Sequence, residues 1–189
     1  MANKYKKEFH YFTLTDFEEE EIYLREKHKN GEKFVKVKVP GVYYFELCQP
    51  EDVVYRLDFY PKAAAERENY QQMFADYGWE YLQDMNEFSY FRKKASEEDT
   101  GDMEIFSDTE SRLEMVKRIF TKRMIPILVI FLLCLVPNIS NVVEGTATGG
   151  VADWILFGFY VILLVWYLVL FVHCGVGFYR LKKKYSNEV

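Results

Sequence analysis

The chain predicts an α+β head followed by a two-helix transmembrane hairpin. Three observations lead there. Residues 5–94 hold two copies of a strand-helix-strand-strand pattern, the last third holds two long apolar runs, and basic residues flank only one end of each run.

The first copy opens at residues 9–15 (FHYFTLT), aromatic and β-branched enough to read as a strand. Asp16 then offers a helix N-cap, with Glu19 three residues on in capping-box spacing. The helix runs to about Asn30, where Gly31 supplies a left-handed end. Residues 34–39 (FVKVKV) alternate with period two, Pro40-Gly41 turns the chain, and residues 42–47 (VYYFEL) return. The second copy follows the turn cluster Gln49-Pro50-Glu51-Asp52. Residues 53–59 (VVYRLDF) read as a strand, Pro61 starts a connection, and a helix spans about 63–77 before Gly78. Residues 79–85 and 88–93 make a hairpin across Asn86-Glu87. Gly31 and Phe34 correspond to Gly78 and Tyr81, and Tyr43-Tyr44-Phe45 to Ser89-Tyr90-Phe91 with one residue of slip. An antiparallel sheet with two helices on one face is the expected head.

Such a sheet leaves a second face to explain. With residues 53–59 taken as a central strand, Val53, Tyr55, Leu57 and Phe59 point to the helices, joined by Tyr43, Phe45 and Leu47. The opposite face then carries Phe34, Tyr44, Glu46, Arg56 and Asp58. Together with Tyr90 these form either solvated cross-strand pairs or a groove for a ligand or partner.

The apolar runs set the other half of the architecture. Residues 154–179 contain no Lys, Arg, Asp or Glu, and about 20 apolar residues cross a bilayer core. Residues 124–136 are shorter, but extension through Pro137 and Asn138 to Val143 reaches the same length. Pro126 falls in a first turn, where a missing donor costs little. Lys117, Arg118, Lys122 and Arg123 precede the first run, and Arg180, Lys182, Lys183 and Lys184 follow the second. The connection EGTATGGVAD has two acids and no base, so the positive-inside rule puts both termini in the cytoplasm. The boundaries are a cytosolic domain at 1–95, an acidic linker at 96–106 and a juxtamembrane amphipathic helix at 107–123. Spans at 124–143 and 154–179 enclose an extracytoplasmic loop at 144–153, with a basic tail at 180–189. With no breaker before Pro126, the juxtamembrane helix is expected to run into the first span or to rest on headgroups.

Charge divides along the same line. Residues 1–107 carry 15 Lys/Arg and 23 Asp/Glu, 15 − 23 = −8, and residues 108–189 carry 9 and 6, 9 − 6 = +3. An acidic head argues against direct nucleic-acid binding, which needs a basic footprint, and against the head lying flat on anionic lipid. Cys48, Cys134 and Cys174 show no metal spacing, nor do His10, His28 and His173. No catalytic constellation, metal site or cofactor motif emerges, so an enzyme is not expected.

Tandem strand-helix-strand-strand modules resemble the effector-binding domains of bacterial multidrug-responsive regulators, the GyrI-like fold, in element order and aromatic content over residues 5–94. That likeness implies aromatic walls around a buried acid that holds a hydrophobic cation, with Glu46 as the acid and Tyr44 and Tyr90 as walls. The strings FELCQPEDVVYRLDF (45–59), FADYGWEYL (74–82), YFRK (90–93) and EIFSDTESRLEMVKRI (104–119) resemble the bacterial family called domain of unknown function 2812. This second likeness implies a cytosolic domain followed by membrane helices, in a regulatory setting beside PadR-type transcriptional regulators. It supplies no catalytic residues. The expected role is a membrane-tethered regulatory or sensory protein of the bacterial cell membrane, multi-pass, whose head binds a small hydrophobic ligand or a cytosolic protein partner. The alternative is a structural anchor or scaffold, or an accessory subunit of a membrane complex. A pore would need a homo-oligomer, because two spans without a charged residue make no pathway alone.

Overall fold

A computed structural model describes residues 5–59, 66–95 and 109–186. The repeat is present in full: β1 (Lys6–Phe9), α1 (Phe17–Lys29), β2 (Glu32–Lys38) and β3 (Val42–Leu47), then β4 (Val53–Phe59), α2 (Arg67–Asp76), β5 (Glu80–Met85) and β6 (Phe88–Lys94). Each copy builds its own three-stranded antiparallel sheet, ordered β1-β3-β2 and β4-β6-β5. The registers correspond: Lys6 faces Phe45 in one sheet as Arg56 faces Phe91 in the other. Both second strands slip by a residue, after Phe34 and after Tyr81. Gly31 and Gly78 end the two helices at φ 81 and 79, a conformation that L side chains adopt rarely. The one-residue offset in sequence has its cause in the turns. Lys38 pairs with Val42 across three residues, whereas Met85 pairs with Phe88 across Asn86 and Glu87, both at positive φ.

Several expectations need correction. There are two sheets, and β4 is an edge strand with β6 at the centre. The helices do not share one face. α1 packs on β2 and along β4, while α2 covers the far side of the second sheet through Phe74, beside Val54, Trp79 and Phe91. The first strand lies at Lys6–Phe9, upstream of residues 9–15, most of which turn off the sheet as the connection to α1. The capping box does not form. Asp16 accepts hydrogen bonds from the Thr13 amide at 2.9 Å and the Thr13 hydroxyl at 2.7 Å, tying down that connection instead. Residues 60–65 and 96–108, where the second helix was expected to begin and the acidic linker to run, lie outside the described residues.

The main core sits between the sheets and α1: Phe17, Leu24, Phe34, Tyr43, Phe45, Tyr55, Leu57, Phe59 and Tyr90 are all buried. Burying an aromatic or leucine of this kind contributes about 1.5–3 kcal/mol. The open edge of β4 is closed by α1, whose Glu21 carboxylate accepts from the Leu57 amide at 2.8 Å.

Two apolar helices complete the chain. α3 (Thr109–Ile119) continues without a break through a π turn (Phe120–Met124), α4 (Ile125–Ile130), a second π turn (Phe131–Leu135) and α5 (Val136–Thr148). Each π turn immediately precedes a helix with a proline in its first turn, Pro126 or Pro137, where the ring cannot accept the regular ladder. α6 (Val151–Ser186) returns. Most of the segment expected as a loop is helical, and only Gly149 and Gly150 separate the two helices.

Each helix has an apolar stretch long enough to cross a membrane, within runs of 36 residues. At a rise of 1.5 Å per residue such a run measures about 54 Å, against a bilayer core of about 30 Å. The surplus packs on the head. Cys174, Phe178, Leu181 and Tyr185 of α6 and Met115, Val116 and Ile119 of α3 are buried in the same core as Phe17, Phe59 and Phe88. The stretch 174–179, expected inside the second span, is therefore partly covered by protein.

Candidate functional site

Three of the first six residues of α1, Phe17, Glu20 and Glu21, share one buried face, and this decides the site. Phe17, Glu20, Glu21, Leu24 and His28 recur at helical spacing and are all buried. The carboxyl of Glu20 thereby enters the core, where Oε1 accepts hydrogen bonds from the hydroxyls of Tyr43 at 2.6 Å and Tyr90 at 2.7 Å. Tyr43 belongs to the first sheet and Tyr90 to the second, so one acid joins both repeats. Burial pushes the Glu20 carboxyl above the usual carboxylate range, against the pull of the two phenols. The phenols are raised in turn, by burial first and then by Glu20.

Glu20, Tyr43 and Tyr90 line a cavity of about 320 Å³. Its head-side wall is Phe12, Leu14 and Phe88, with the β2–β3 turn at Val39–Gly41 and the β5–β6 turn at Asn86. Its remaining wall is Ile127 of α4 with Leu170 and Cys174 of α6. The cavity therefore lies where the head meets the two apolar helices, mostly apolar with one buried acid.

A polar clasp beside it holds α6 on α1. Glu18 receives Lys184 at 2.9 Å, the hydroxyl of Tyr185, and Arg112 of α3 at 3.5 Å. Arg112 also donates to the Tyr185 hydroxyl at 2.9 Å. Burial raises the Glu18 carboxyl, but Tyr185, Lys184 and Arg112 together bring it below its usual value. His173 Nε2 lies 3.3 Å from Asp16, and Gly177 faces Thr15 so closely that any side chain there would collide with it.

The six residues expected to form one face are scattered. Phe34 is fully buried in the core, stacked on Tyr90 at 5.7 Å, because β3 is not a neighbour of β4 and the slip after Phe34 sets the register. Tyr44 and Glu46 lie on the outer face of the first sheet, Tyr44 beside Lys7 and Lys36, and Glu46 3.5 Å from Lys33. Arg56 reaches Glu21 at 3.3 Å, and Asp58 turns to the α2 side, where Tyr70 donates to it at 2.5 Å. Phe34 and Tyr90 meet, and of the six Tyr90 lines the cavity. Glu20 was missed although the spacing of Phe17, Glu20, Glu21 and Leu24 announces it. Among the basic residues flanking the apolar runs, Arg123 contacts the β5–β6 turn through the Asn86 carbonyl at 3.1 Å and Glu87 at 3.4 Å, and Lys184 contacts Glu18. Lys117, Lys122, Lys182 and Lys183 are exposed.

A model of the family described as protein of unknown function (DUF2812) matches residues 16–130. No curated protein and no solved structure matches the chain.

Proposed function

From a chain that belongs to the DUF2812 family, we propose a membrane-tethered regulatory or sensory module whose cytosolic head binds a small hydrophobic ligand at its junction with two transmembrane helices. The carrying observation is the cavity that Glu20, Tyr43 and Tyr90 share with Ile127, Leu170 and Cys174. A ligand there touches both repeats and both apolar helices, so its binding energy differs between a closed and an opened junction. That difference is what a sensor requires. The charge pattern supports cytoplasmic termini, since Arg180, Lys182, Lys183 and Lys184 follow one apolar run and Lys117, Arg118, Lys122 and Arg123 precede the other.

Glu20 takes the place that the sequence likeness gave to Glu46, and the ligand is a lipophilic cation. Its charge would draw the proton from Glu20, so affinity rises as pH rises through the elevated value of this carboxyl. The test is thermal unfolding of the full chain in detergent with tetraphenylphosphonium and with neutral tetraphenylmethane. The cation at 100 times its Kd should stabilise the protein by about 2.7 kcal/mol, and the neutral compound much less. Glu20→Gln should abolish the difference, and Glu46→Gln should keep it. Equal responses to both compounds, or none to either, would sink the proposal.

A further inference from the structure

The turn β2–β3 and the chain just after β1 form one rim of the head. Phe9 pairs with Val42, the His10 amide donates to the Gly41 carbonyl at 3.0 Å, and Gly41 packs so tightly on His10 that no side chain would fit. This rim exposes three large apolar side chains: Phe9 is 67% exposed, Tyr11 57% and Val39 72%. Single exposed apolar residues are ordinary, but a contiguous group marks an interaction surface.

The position of the rim identifies what covers it. Tyr11, Val39 and Asn86 line the same cavity as Ile127 and Leu170. Ile127 lies four residues beyond Arg123, which itself holds the β5–β6 turn. The rim therefore stands level with the inner ends of the two apolar helices. Charge agrees. On the outer face of the same sheet Lys7, Lys36 and Lys38 surround Tyr44 at 5.4, 5.3 and 5.9 Å, and Lys38 is the one beside the turn. The pair Lys33–Glu46 lies farther from the turn. Positive charge thus gathers at the rim of a head that is acidic as a whole.

We infer that this rim, Phe9, Tyr11 and Val39 with Lys36 and Lys38, seats in the headgroup–acyl boundary of the cytoplasmic leaflet. The inference rests on the reading that α4–α5 and α6 cross the bilayer. Phe9, Tyr11 and Val39 then sit among lipid rather than in water, while the lysines reach the headgroups. The head is fixed to the membrane on its rim as well as through its helices, and lipid borders the mouth of the cavity. A hydrophobic ligand enters from the leaflet.

Photocrosslinking of the full chain in native membranes tests this. The probe is p-benzoylphenylalanine, introduced singly at Val39, Tyr11, Leu133 and Leu47. Leu133, 71% exposed, reports on the apolar helix, and Leu47, 87% exposed, lies at the other end of β3, about 17 Å from the turn. Positions 39 and 11 should give phospholipid adducts within about threefold of position 133, and position 47 about tenfold less, as expected for a rim sunk about 5–10 Å into the interface. Lipid adducts at 133 but none at 39 and 11 would overturn the rim while leaving the spans in place. Adducts from 39 or 11 to a second copy or to another protein would overturn it too. No lipid adduct at 133 would remove the membrane reading itself, and the rim with it.

Discussion

The two repeats share topology and register yet differ in burial. β1 (KKEF) is nearly exposed along its length, whereas its counterpart β4 (VVYRLDF) is buried at six of its seven positions. The second sheet is covered twice, by the main core on one face and by α2 on the other. The first is covered once and turns Tyr44 and its lysines outward. Equivalent backbones therefore serve different purposes. The second repeat is a two-sided scaffold, and the first offers one face to the core and one to its surroundings. The helices differ to match, since α1 sends acids inward where α2 sends only aromatic rings.

The largest contrast between the repeats lies at the two matched ring positions beside the strand slips. Phe34→Ala should cost about 3–5 kcal/mol, as for other buried phenylalanines. Tyr81→Ala, at a half-buried ring 5.8 Å from Phe91, should cost about 1–2 kcal/mol. Chemical denaturation of both variants checks it, and equal losses would mean that the repeats are energetically alike.

Next comes the edge of β4. Glu21→Ala strands the buried Leu57 amide and should cost about 1–3 kcal/mol. Gln72→Ala on the exposed side of α2 should stay within about 0.5 kcal/mol.

The paired glycines give a smaller contrast. Both Gly31→Ala and Gly78→Ala carry a left-handed penalty of about 1 kcal/mol. At Gly31 the new methyl would also sit 3.1 Å from the Cys48 carbonyl oxygen, while at Gly78 it meets only the flexible Lys93 side chain at 3.5 Å. Gly31→Ala should therefore melt lower than Gly78→Ala.

The smallest effect is one of slope against pH, and it separates two acids of α1. The folded value of Glu18 is depressed, so its contribution is present above about pH 4.5 and disappears as pH falls through that depressed value. Glu20 is raised, so the fold binds its proton more tightly than the unfolded chain does, and stability falls as pH rises from about 4.5 to the elevated value. Melting from pH 3 to 8 should show Glu18→Gln most destabilising at the alkaline end. Relative to the parent chain, Glu20→Gln should fare better there than at the acid end. Parallel curves for both variants would contradict the assignment.

Local chemistry could be read directly from residues. Gly31 and Gly78, the turns at Pro40-Gly41 and Asn86-Glu87, and the alternation in the hairpins marked the repeat, because each depends on neighbours within a few positions. The apolar runs were equally plain, since length and absence of charge are properties of the string itself. The correction to the first strand shows the limit: FHYFTLT has strand-forming residues, but Asp16 binds Thr13 and folds that segment into the connection.

Adjacency, by contrast, was set by the packing of elements far apart along the chain. Whether β3 or β6 lies beside β4 is invisible in either strand, and a wrong neighbour placed Phe34 outside. The site gathers Glu20, Tyr43, Tyr90, Ile127, Leu170 and Cys174 from five elements distant in sequence. Hydrogen bonds and packing between such elements depend on how sheets and helices stack, and no periodicity along the chain encodes that stacking.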